Sequence, residues 1–370
     1  MPHAAPTLGS DPQADPSPLR RVAVVTGTRA DYGLLEPVMR AVDLHTGLAL
    51  QCVVAGTHHT TASADDIAFP AAVAVVMQQA DDTGRAADAA ALGRGVSGFA
   101  DAFRELKPDW VVVLGDRIEA FAAAAAAAVG GQRVAHLHGG DRAEGVADES
   151  MRHAISKLAH LHLPATAQSA HRLEQMGEDR QRIHVVGSPA IDGLGAIAPA
   201  TDAPQLVVML HPVGDDDDTE RKRMAELLEA TADHSRLVMA PNADPGARGI
   251  RQALDDAGIT AVEHLPRSRF IAALKGARAL VGNSSAGLIE ASACGTPAVN
   301  VGDRQAGRET PPSVVTCGHG DIAAALREAL SLDAATLSHP YGDGDTGPRV
   351  ASLLATVRFD AAGLRKRNTY

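Results

Sequence analysis

Short apolar runs alternate along the chain with longer segments in which apolar residues recur at helical spacing. Each short run has the length of a buried strand, and most are followed by glycine or small polar residues. In the first half the predicted strands are 21–26, 48–55, 72–77, 110–114 and 133–137, and the predicted helices are 34–42, 85–106, 119–129 and 148–160. This alternation predicts an α/β fold with a doubly wound parallel sheet.

A segment with little regular pattern, 191–204, separates this half from a second alternating half. There the predicted strands are 205–210, 237–240, 279–281 and 298–301, and the predicted helices are 219–232, 286–293 and 321–330. We therefore expect two Rossmann-like domains, 19–190 and 205–345, with 191–204 as their linker and a ligand cleft between them. A last helix over 349–357, within the segment 346–370, is expected to return to the first domain.

Composition narrows the class of protein. A length of 370 residues fits two domains, and an apolar content of 45% is enough for two cores. The net charge of −11 argues against non-specific binding to nucleic acid, so no nucleic-acid partner is expected. Residues 1–18 are rich in Pro, Ala, Asp and Ser and are predicted to form a disordered tail.

The sequence predicts a reduced, cytoplasmic protein. No apolar run is long enough to span a membrane, and the N-terminus lacks the basic and then apolar pattern of a signal segment. The cysteines Cys52, Cys294 and Cys317 lie far apart and form no Cys-x-x-Cys pair. We therefore expect no membrane partner and no metal site built from cysteines.

The segment Gly282-Asn-Ser-Ser-Ala-Gly287 joins a predicted strand to a predicted helix. Its free backbone N–H groups and the hydroxyls of Ser284 and Ser285 favour an anion at the helix N-terminus. Glu290, about a turn and a half further on, is an acceptor for ligand hydroxyls. An ordinary serine-capped turn explains the same residues equally well.

Polar clusters follow four of the first-half strands. They are Thr28-Arg-Ala-Asp31, Thr57-His-His59, Gly115-Asp-Arg117 and His138-Gly-Gly-Asp141. Because the carboxyl ends of parallel strands meet at one edge of a sheet, the four clusters together indicate a site. Arg29 offers a planar fork suited to phosphate, and Asp116 is either a helix cap or a carboxylate that exchanges protons.

The predicted helix over 148–160 carries Glu149, His153, Ser156 and His160 on one face. The two histidines are two turns apart and no His-Glu-x-x-His is present, so zinc is disfavoured. Asp148 and Arg152 form a neighbouring four-spaced pair that is interpreted as a surface salt bridge. Since His136 and His138 alternate along a strand, one of them is expected to be buried and structural.

Several common motifs are absent from the sequence. It contains no Gly-x-x-x-x-Gly-Lys-Ser/Thr phosphate loop at the serine turn, no Gly-x-Gly-x-x-Gly after the first strand and no Gly-x-Ser-x-Gly. Nicotinamide cofactors and acyl transfer are therefore disfavoured. No cofactor is expected.

Taken in order, the motifs resemble the UDP-N-acetylglucosamine 2-epimerase family. They are Gly27-Thr-Arg-Ala-Asp-Tyr-Gly33, Gly115-Asp-Arg117, His136-Leu-His-Gly-Gly-Asp141, Asp148-Glu-Ser-Met-Arg-His-Ala-Ile-Ser-Lys157, His211-Pro212, Pro241-Asn-Ala-Asp244, Gly282-Asn-Ser-Ser-Ala-Gly287 and Arg304-Gln-Ala-Gly-Arg308. The sequence is most similar to the hydrolysing branch, which makes N-acetylmannosamine for sialic acid and related sugars. The resemblance implies a glycosyltransferase-B-like fold, a UDP-sugar substrate, no metal or nicotinamide, and a homodimer or homotetramer.

The resemblance also implies roles for individual residues. Ser284 and Ser285 would bind the diphosphate, and Glu290 would bind the ribose. His211 and Arg304 would contact the nucleotide with Asn242 nearby, and Arg29 and Arg117 would bind ligand. Asp116, Asp148 and Glu149 would be catalytic. His138 stands where some members carry a carboxylate. Either Asp141 takes that role, or His138 is the base, or the activity differs.

The implied reaction removes the proton at C2 of the sugar while UDP leaves from C1, and water then adds to the 2-acetamidoglucal to give the 2-epimer. Three alternatives stay open. The enzyme could be a reversible, non-hydrolysing epimerase that adds UDP back, or a glycosyltransferase that needs an acceptor. It could also be a non-catalytic sensor of UDP-sugars.

Overall fold

The computed structural model describes residues 19–56, 58, 68–79, 84–142, 149–242, 244–358, 366 and 369. The predicted tail 1–18 and the candidate catalytic residue Asp148 lie outside these residues, as do Thr57 and His59. The described residues form two separate parallel sheets with helices, which confirms the predicted α/β fold class.

The first sheet has six strands in the order β3-β2-β1-β4-β5-β6, and all of its strand pairs are parallel. Its strands are β1 (Arg20–Thr26), β2 (Leu48–Ala55), β3 (Ala71–Val75), β4 (Trp110–Leu114), β5 (Arg133–Leu137) and β6 (Leu161–Leu163). The helices of this half are α1 (Arg29–Leu44), α2 (Arg85–Leu106), α3 (Ile118–Gly130), α4 (Glu149–Leu158) and α5 (Ala167–Gln175). This strand order reverses direction between β1 and β4, and ligands of such sheets bind outside the strand ends at that point.

The second sheet has five parallel strands in the order β11-β10-β9-β7-β8. Its strands are β7 (Leu206–Met209), β8 (Arg236–Val238), β9 (Ala279–Gly282), β10 (Ala298–Val301) and β11 (Val314–Cys317). The helices of this half are α6 (Asp217–Ala230), α7 (Ala247–Asp256), α8 (Arg267–Gly276), α9 (Ser285–Leu288), α10 (Glu290–Cys294), α11 (Ile322–Ser331) and α12 (Thr346–Thr356). Here the reversal falls between β7 and β9.

The helix α12 packs on the first sheet, although it follows the second sheet in sequence. Val350, Ala351 and Leu354 are buried in the same apolar cluster as Trp110. The indole Nε1 of Trp110 donates a hydrogen bond of 3.1 Å to the Leu354 carbonyl. The chain therefore crosses between the two sheets twice.

The two crossings are hydrogen-bonded to each other. The Ser188 N–H donates to the Tyr341 carbonyl at 2.8 Å. The carboxylate of Asp192 accepts from the N–H groups of Thr346 at 3.0 Å and Gly347 at 2.6 Å, at the N-terminus of α12. An anion is favoured at that end of a helix, so Asp192 holds α12 to the first crossing.

At the second reversal point, the ends of β7 and β9 approach each other closely because residue 282 is a glycine. Its φ of 148° is unfavourable for other residues, and a Cβ there would lie 1.9 Å from the Met209 carbonyl oxygen. The next residue, Asn283, bridges β9 to the end of β7: its Oδ1 accepts from the His211 N–H and its Nδ2 donates to the His211 carbonyl, both at 2.7 Å.

Two helix predictions were wrong in detail. The first helix begins at Arg29 rather than at residue 34, because the Thr28 hydroxyl caps it by accepting from the Asp31 N–H at 3.1 Å. The helix predicted over 286–293 is interrupted at Ile289, whose ψ of −72° departs from helical geometry, and this splits it into α9 and α10. The pattern also failed to predict β6, α5, α7, α8 and β11, and none of these is longer than a few turns or a few strand residues.

We expect Gly282→Ala to destabilise the protein by about 2–3 kcal/mol, because the new methyl group overlaps the Met209 carbonyl. Chemical denaturation followed by circular dichroism measures the effect. The matched control is Gly93→Ala within α2, where a Cβ has open space and should stabilise by about 0.5–1 kcal/mol. Equal denaturation midpoints for the Gly282 variant and the wild type would contradict the account of this close approach.

Candidate active site

A cavity of about 280 Å³ lies between the carboxyl ends of the two sheets. Side chains from both sheets line it, together with Ser188 from the first crossing. The first-sheet half contributes Asp31, Asp116, Arg117, His138, Asp141 and Arg152, and the second contributes Asn242, Asp244, Ser285, Glu290, Arg304, Gln305 and Arg308. Most of the residues predicted for the site are therefore brought together, although they come from distant parts of the chain.

Asp116, at the end of β4, is engaged in an ion pair. Its carboxylate contacts the guanidinium of Arg152 from α4, which is only 3% exposed. Burial, together with the charge of Arg308, lowers the pKa of Arg152 to about 9, so Arg152 remains a cation at neutral pH. Arg152 is therefore part of the site, and its interpretation as a surface residue was wrong.

His138 follows β5 and is held on both sides of its ring. Its φ of 60° lies in the left-handed region, which is uncommon for a residue other than glycine and is found at functional turns. Its Nδ1 is 2.8 Å from Asp141 Oδ2, and its Nε2 is 3.0 Å from Ser188 Oγ. A carboxylate only accepts, so in the neutral ring Nδ1 carries the proton and Nε2 accepts from the serine hydroxyl.

Asp141 is 1% exposed and also accepts from Ser169 Oγ at 2.8 Å. Burial alone would raise the pKa of this carboxyl, but the charge and hydrogen bond of His138, with Arg308 and the Ser169 hydroxyl, outweigh burial and lower the pKa. The turn needs glycine at Gly140, where φ is 80° and a Cβ would lie 2.2 Å from the Ser169 carbonyl oxygen. Asp141 is thus an ionised, immobilised partner for His138.

His136 is the buried histidine of the alternating pair, which confirms that only one of the two reaches the cavity. Burial lowers its pKa to about 3. Its Nε2–H donates to the Gly115 carbonyl at 2.7 Å, and its Nδ1 lies 3.1 Å from Ser156 Oγ. This neutral ring fixes the end of β4 next to Asp116.

Arg117 and Asp31 line the cavity next to the buried carboxylate of Glu119. Arg117 Nε lies 3.4 Å from Glu119 Oε2 and 3.9 Å from Asp31 Oδ2. Burial raises the pKa of Asp31 against the opposing charge of Arg117. A carboxyl with a raised pKa in a cleft is a candidate for proton exchange. Asp31 was missed as a site residue although its motif was noted.

The second-sheet wall combines hydroxyls, a buried carboxyl and two arginines. Ser284 caps α9 by accepting from the Ala286 N–H at 3.3 Å and is buried, whereas Ser285 lines the cavity. Burial raises the pKa of Glu290, opposed by the charge of Arg267. Arg304 and Arg308 line the same wall, and Nη1 of Arg304 donates to the Asn283 carbonyl at 3.4 Å.

Besides Ser284, three predicted site residues among those described do not line this cavity. Burial, and then the charge of Arg304, lowers the pKa of His211 to about 3, and its Nδ1 accepts from the Asn242 N–H at 3.2 Å, so the neutral ring supports the Asn242 loop. Arg29 faces an adjoining cavity of about 750 Å³ on another face of α1. Glu149 lies behind the wall, with its Oε2 3.6 Å from Arg152 Nη1.

Two further properties concern the described residues as a group. They contain no cluster of three or more His, Cys, Asp or Glu side chains suited to hold a metal ion. Of the helices described, none combines the length and apolar character needed to cross a bilayer.

The family model for UDP-N-acetylglucosamine 2-epimerase matches residues 40–355 of this chain. Among curated proteins, the chain is 34% identical to the hydrolysing UDP-N,N'-diacetylbacillosamine 2-epimerase of Legionella pneumophila, over 95% of this chain and 100% of that protein. It is 31% identical to a UDP-N-acetylglucosamine 2-epimerase of Neisseria meningitidis serogroup B, over 89% of this chain and 92% of that protein.

Solved structures show the same fold. The structure of the Neisseria meningitidis UDP-GlcNAc 2-epimerase bound to UDP-GlcNAc matches with a TM-score of 0.76 and 17% identity, over 90% of this chain and 99% of that one. The Methanocaldococcus jannaschii UDP-GlcNAc 2-epimerase in complex with UDP-GlcNAc and UDP matches with a TM-score of 0.73, 17% identity and the same coverage of each chain.

We expect Glu290→Gln to stabilise the free protein at pH 7 by roughly 0.5–2 kcal/mol, as is common when a buried functional charge is removed. Burial raises the pKa of Glu290 in the folded protein above its ordinary value of 4.5. The folded protein therefore loses stability as the pH rises from 4.5 through the pKa of the folded state. The gain over wild type should therefore shrink as pH falls below about 4.5. Denaturation midpoints measured from pH 4 to 8 test this.

Glu229→Gln, at an exposed position of α6, is the matched control and should change stability by less than about 0.5 kcal/mol. A Glu290→Gln variant that is less stable than wild type at pH 7 would show that the buried carboxylate is favourably solvated instead.

Proposed function

Because this chain belongs to the UDP-N-acetylglucosamine 2-epimerase family, we propose that it is a hydrolysing UDP-N-acetylhexosamine 2-epimerase that releases UDP and the 2-epimeric free sugar. One observation carries the proposal. A single cavity joins a wall of arginines and a serine hydroxyl, suited to a diphosphate, to a wall of carboxylates and a histidine, suited to proton exchange. We propose that the nucleotide lies against the second sheet and the sugar against the first.

The second-sheet wall supports departure of UDP. Breaking the C1–O bond places negative charge on the diphosphate, and cations already oriented toward that position stabilise it without reorganisation. Arg304 and Arg308 supply the charge, and Ser285 supplies a hydroxyl donor. Glu290 is an acceptor for the ribose hydroxyls.

The first-sheet wall supports removal of the C2 proton. That proton is weakly acidic, so its removal needs a well-oriented base acting as the leaving group departs. We propose that His138 is this base, because Asp141 fixes its tautomer and stabilises the imidazolium that forms. Nε2, which accepts from Ser188 in the free protein, is the nitrogen that takes the proton.

The second proton transfer occurs on the other face of C2. The elimination gives UDP and a 2-acetamidoglucal, and water then adds its hydroxyl to C1 while a proton reaches C2 from the opposite face. We propose Asp116 and Arg152 for this face, since their ion pair also lines the cavity. Asp31 and Arg117 lie beside them.

The hydrolysing outcome rests on the Legionella pneumophila relative, whose name gives a hydrolysing reaction on UDP-N,N'-diacetylbacillosamine. The Neisseria meningitidis relative is named for UDP-N-acetylglucosamine. We propose a UDP-linked 2-acetamido sugar as the substrate class and both compounds as test substrates. The cytoplasmic location, the homodimer or homotetramer and the role in sialic-type sugar synthesis stay predictions.

We expect the purified protein, incubated in heavy water with either UDP-sugar, to release UDP and a free 2-epimeric sugar that carries deuterium at C2. Proton NMR follows both products in one sample. A UDP-linked 2-epimer at equilibrium with little free UDP would instead identify a reversible epimerase. Product without deuterium at C2 would exclude the elimination, and binding of UDP-sugar without turnover would identify a sensor.

We expect His138→Gln to lower kcat by about 100- to 10,000-fold, the range for loss of a general base. UDP affinity, measured by calorimetry, should stay within about threefold, because His138 lies on the sugar side of the cavity. Ser285→Ala should show the reverse pattern, with weaker UDP binding and a smaller loss of kcat. His171→Gln, at an exposed ring, is the matched control. Unchanged kcat in His138→Gln would remove His138 from the mechanism.

A further inference from the structure

The loop that follows β10 carries both arginines of the nucleotide wall and is fixed to the second sheet. Gln305, 4% exposed, donates through Nε2 to the Asn283 carbonyl at 2.9 Å. Arg304 contacts the same carbonyl, at 3.4 Å. The loop then continues to Glu309, whose backbone carbonyl accepts from the Tyr341 hydroxyl at 2.6 Å.

The side chain of Glu309 crosses the cleft to the first-sheet half. Its Oε1 accepts from Thr166 Oγ1 at 2.9 Å and lies 3.4 Å from Arg172 Nη1. Arg172 also donates to the Gly140 carbonyl at 3.2 Å and to the Gly307 carbonyl at 3.1 Å. One arginine and one glutamate therefore join the arginine loop to the glycine turn between His138 and Asp141.

The contact with Thr166 continues inward to Asp141. Thr166 caps α5, and its Oγ1 accepts from the Ser169 N–H at 3.1 Å. The Ser169 hydroxyl in turn donates to Asp141 Oδ1 at 2.8 Å. Thr166 and Ser169 are buried, so both hydroxyls are directed by these partners rather than by solvent. The Thr166 hydroxyl lies 3.1 Å from Ser169 Oγ and 2.9 Å from Glu309 Oε1, and it donates to Glu309 because a carboxylate is the stronger acceptor.

We propose that Glu309 is a positioning residue that couples the loop carrying Arg304 and Arg308 to the orientation of Asp141, and through it to His138. This inference rests on the proposed function. Gln305 and Tyr341 dock the loop, and the Glu309–Thr166–Ser169 connection holds Asp141 where it fixes the tautomer of His138. Glu309 itself does not line the cavity.

Through this coupling, the orientation of the proposed base His138 depends on the docked position of the loop. If Glu309 leaves Thr166 and Arg172, the link between the two walls is lost, although each wall keeps its own side chains. The rate of proton transfer then falls by a larger factor than the affinity for UDP. A merely structural contact would instead change stability or UDP affinity and leave kcat at saturating substrate unchanged.

The test uses the full chain and four variants: Glu309→Ala, Thr166→Val, Thr166→Ser and Ser169→Ala. Thr166→Val removes the hydroxyl at nearly constant volume, and Thr166→Ser retains it. We expect Glu309→Ala and Thr166→Val each to lower kcat by about tenfold, a coupling typical of residues in one hydrogen-bond network. UDP affinity by calorimetry should stay within about twofold, and Thr166→Ser should keep most of the wild-type kcat.

The decisive measurement is the double variant Glu309→Ala, Ser169→Ala. If both act through Asp141, the double variant should lose little more kcat than the worse single variant. Losses that multiply, or a lower melting temperature with unchanged kcat, would overturn the proposal. Glu263→Ala, which removes the carboxylate of an exposed ion pair with Arg251, is the matched control.

If Glu309→Ala does not fold, Glu309→Gln replaces it, because the amide oxygen still accepts from Thr166 while the charge facing Arg172 is lost. An intermediate loss of kcat is then expected, and wild-type kcat in both Glu309→Gln and Thr166→Val would overturn the proposal. A wild-type protein that turns over neither UDP-sugar refutes the proposed function, whereas an active wild type with unaffected variants refutes only the coupling.

Discussion

Desolvation of charge is the constraint on which the cleft depends. Asp116, Asp141, Arg152 and Glu290 all lie near one small cavity, where an ionised group without a partner costs several kcal/mol. The structure meets this cost by pairing Asp116 with Arg152 and Asp141 with His138. No ion pair of Glu290 is among the described contacts, and burial raises its pKa against the opposing charge of Arg267. The pairs therefore determine which groups remain available to a ligand.

The fold and the location of the site follow from local features of the sequence. The continuous apolar run 110–114 predicts a buried strand with the same first and last residues as the observed one. The polar residues directly after such a strand must lie at the carboxyl edge of the sheet. Asp116, His138 and Ser285 were predicted in this way. The same argument identifies one edge for each sheet, and the two edges face each other across the cavity.

The partnerships within the site could not be predicted, because they join residues that are distant in the chain. Thr166 and Glu309 are 143 positions apart, and His138 and Ser188 are 50 apart. Ser188 lies three residues before the segment 191–204, whose irregular pattern indicated only a linker. For His211 the resemblance implies a contact with the nucleotide, whereas the structure adds that burial lowers the pKa of its imidazole and that its Nδ1 accepts from the Asn242 N–H. Burial and pairing are tertiary properties that no local pattern contains.

The return of α12 to the first sheet makes the two halves interdependent during folding. The apolar cluster around Trp110 lacks Val350, Ala351 and Leu354 until the whole second sheet has been synthesised. The first half therefore completes its core last, by docking a helix from the far end of the chain. Trp110 is the single tryptophan of the sequence, and its indole bonds to that helix. Because Trp110 packs against α12 as well as against the first sheet, its intrinsic fluorescence is expected to change when α12 docks.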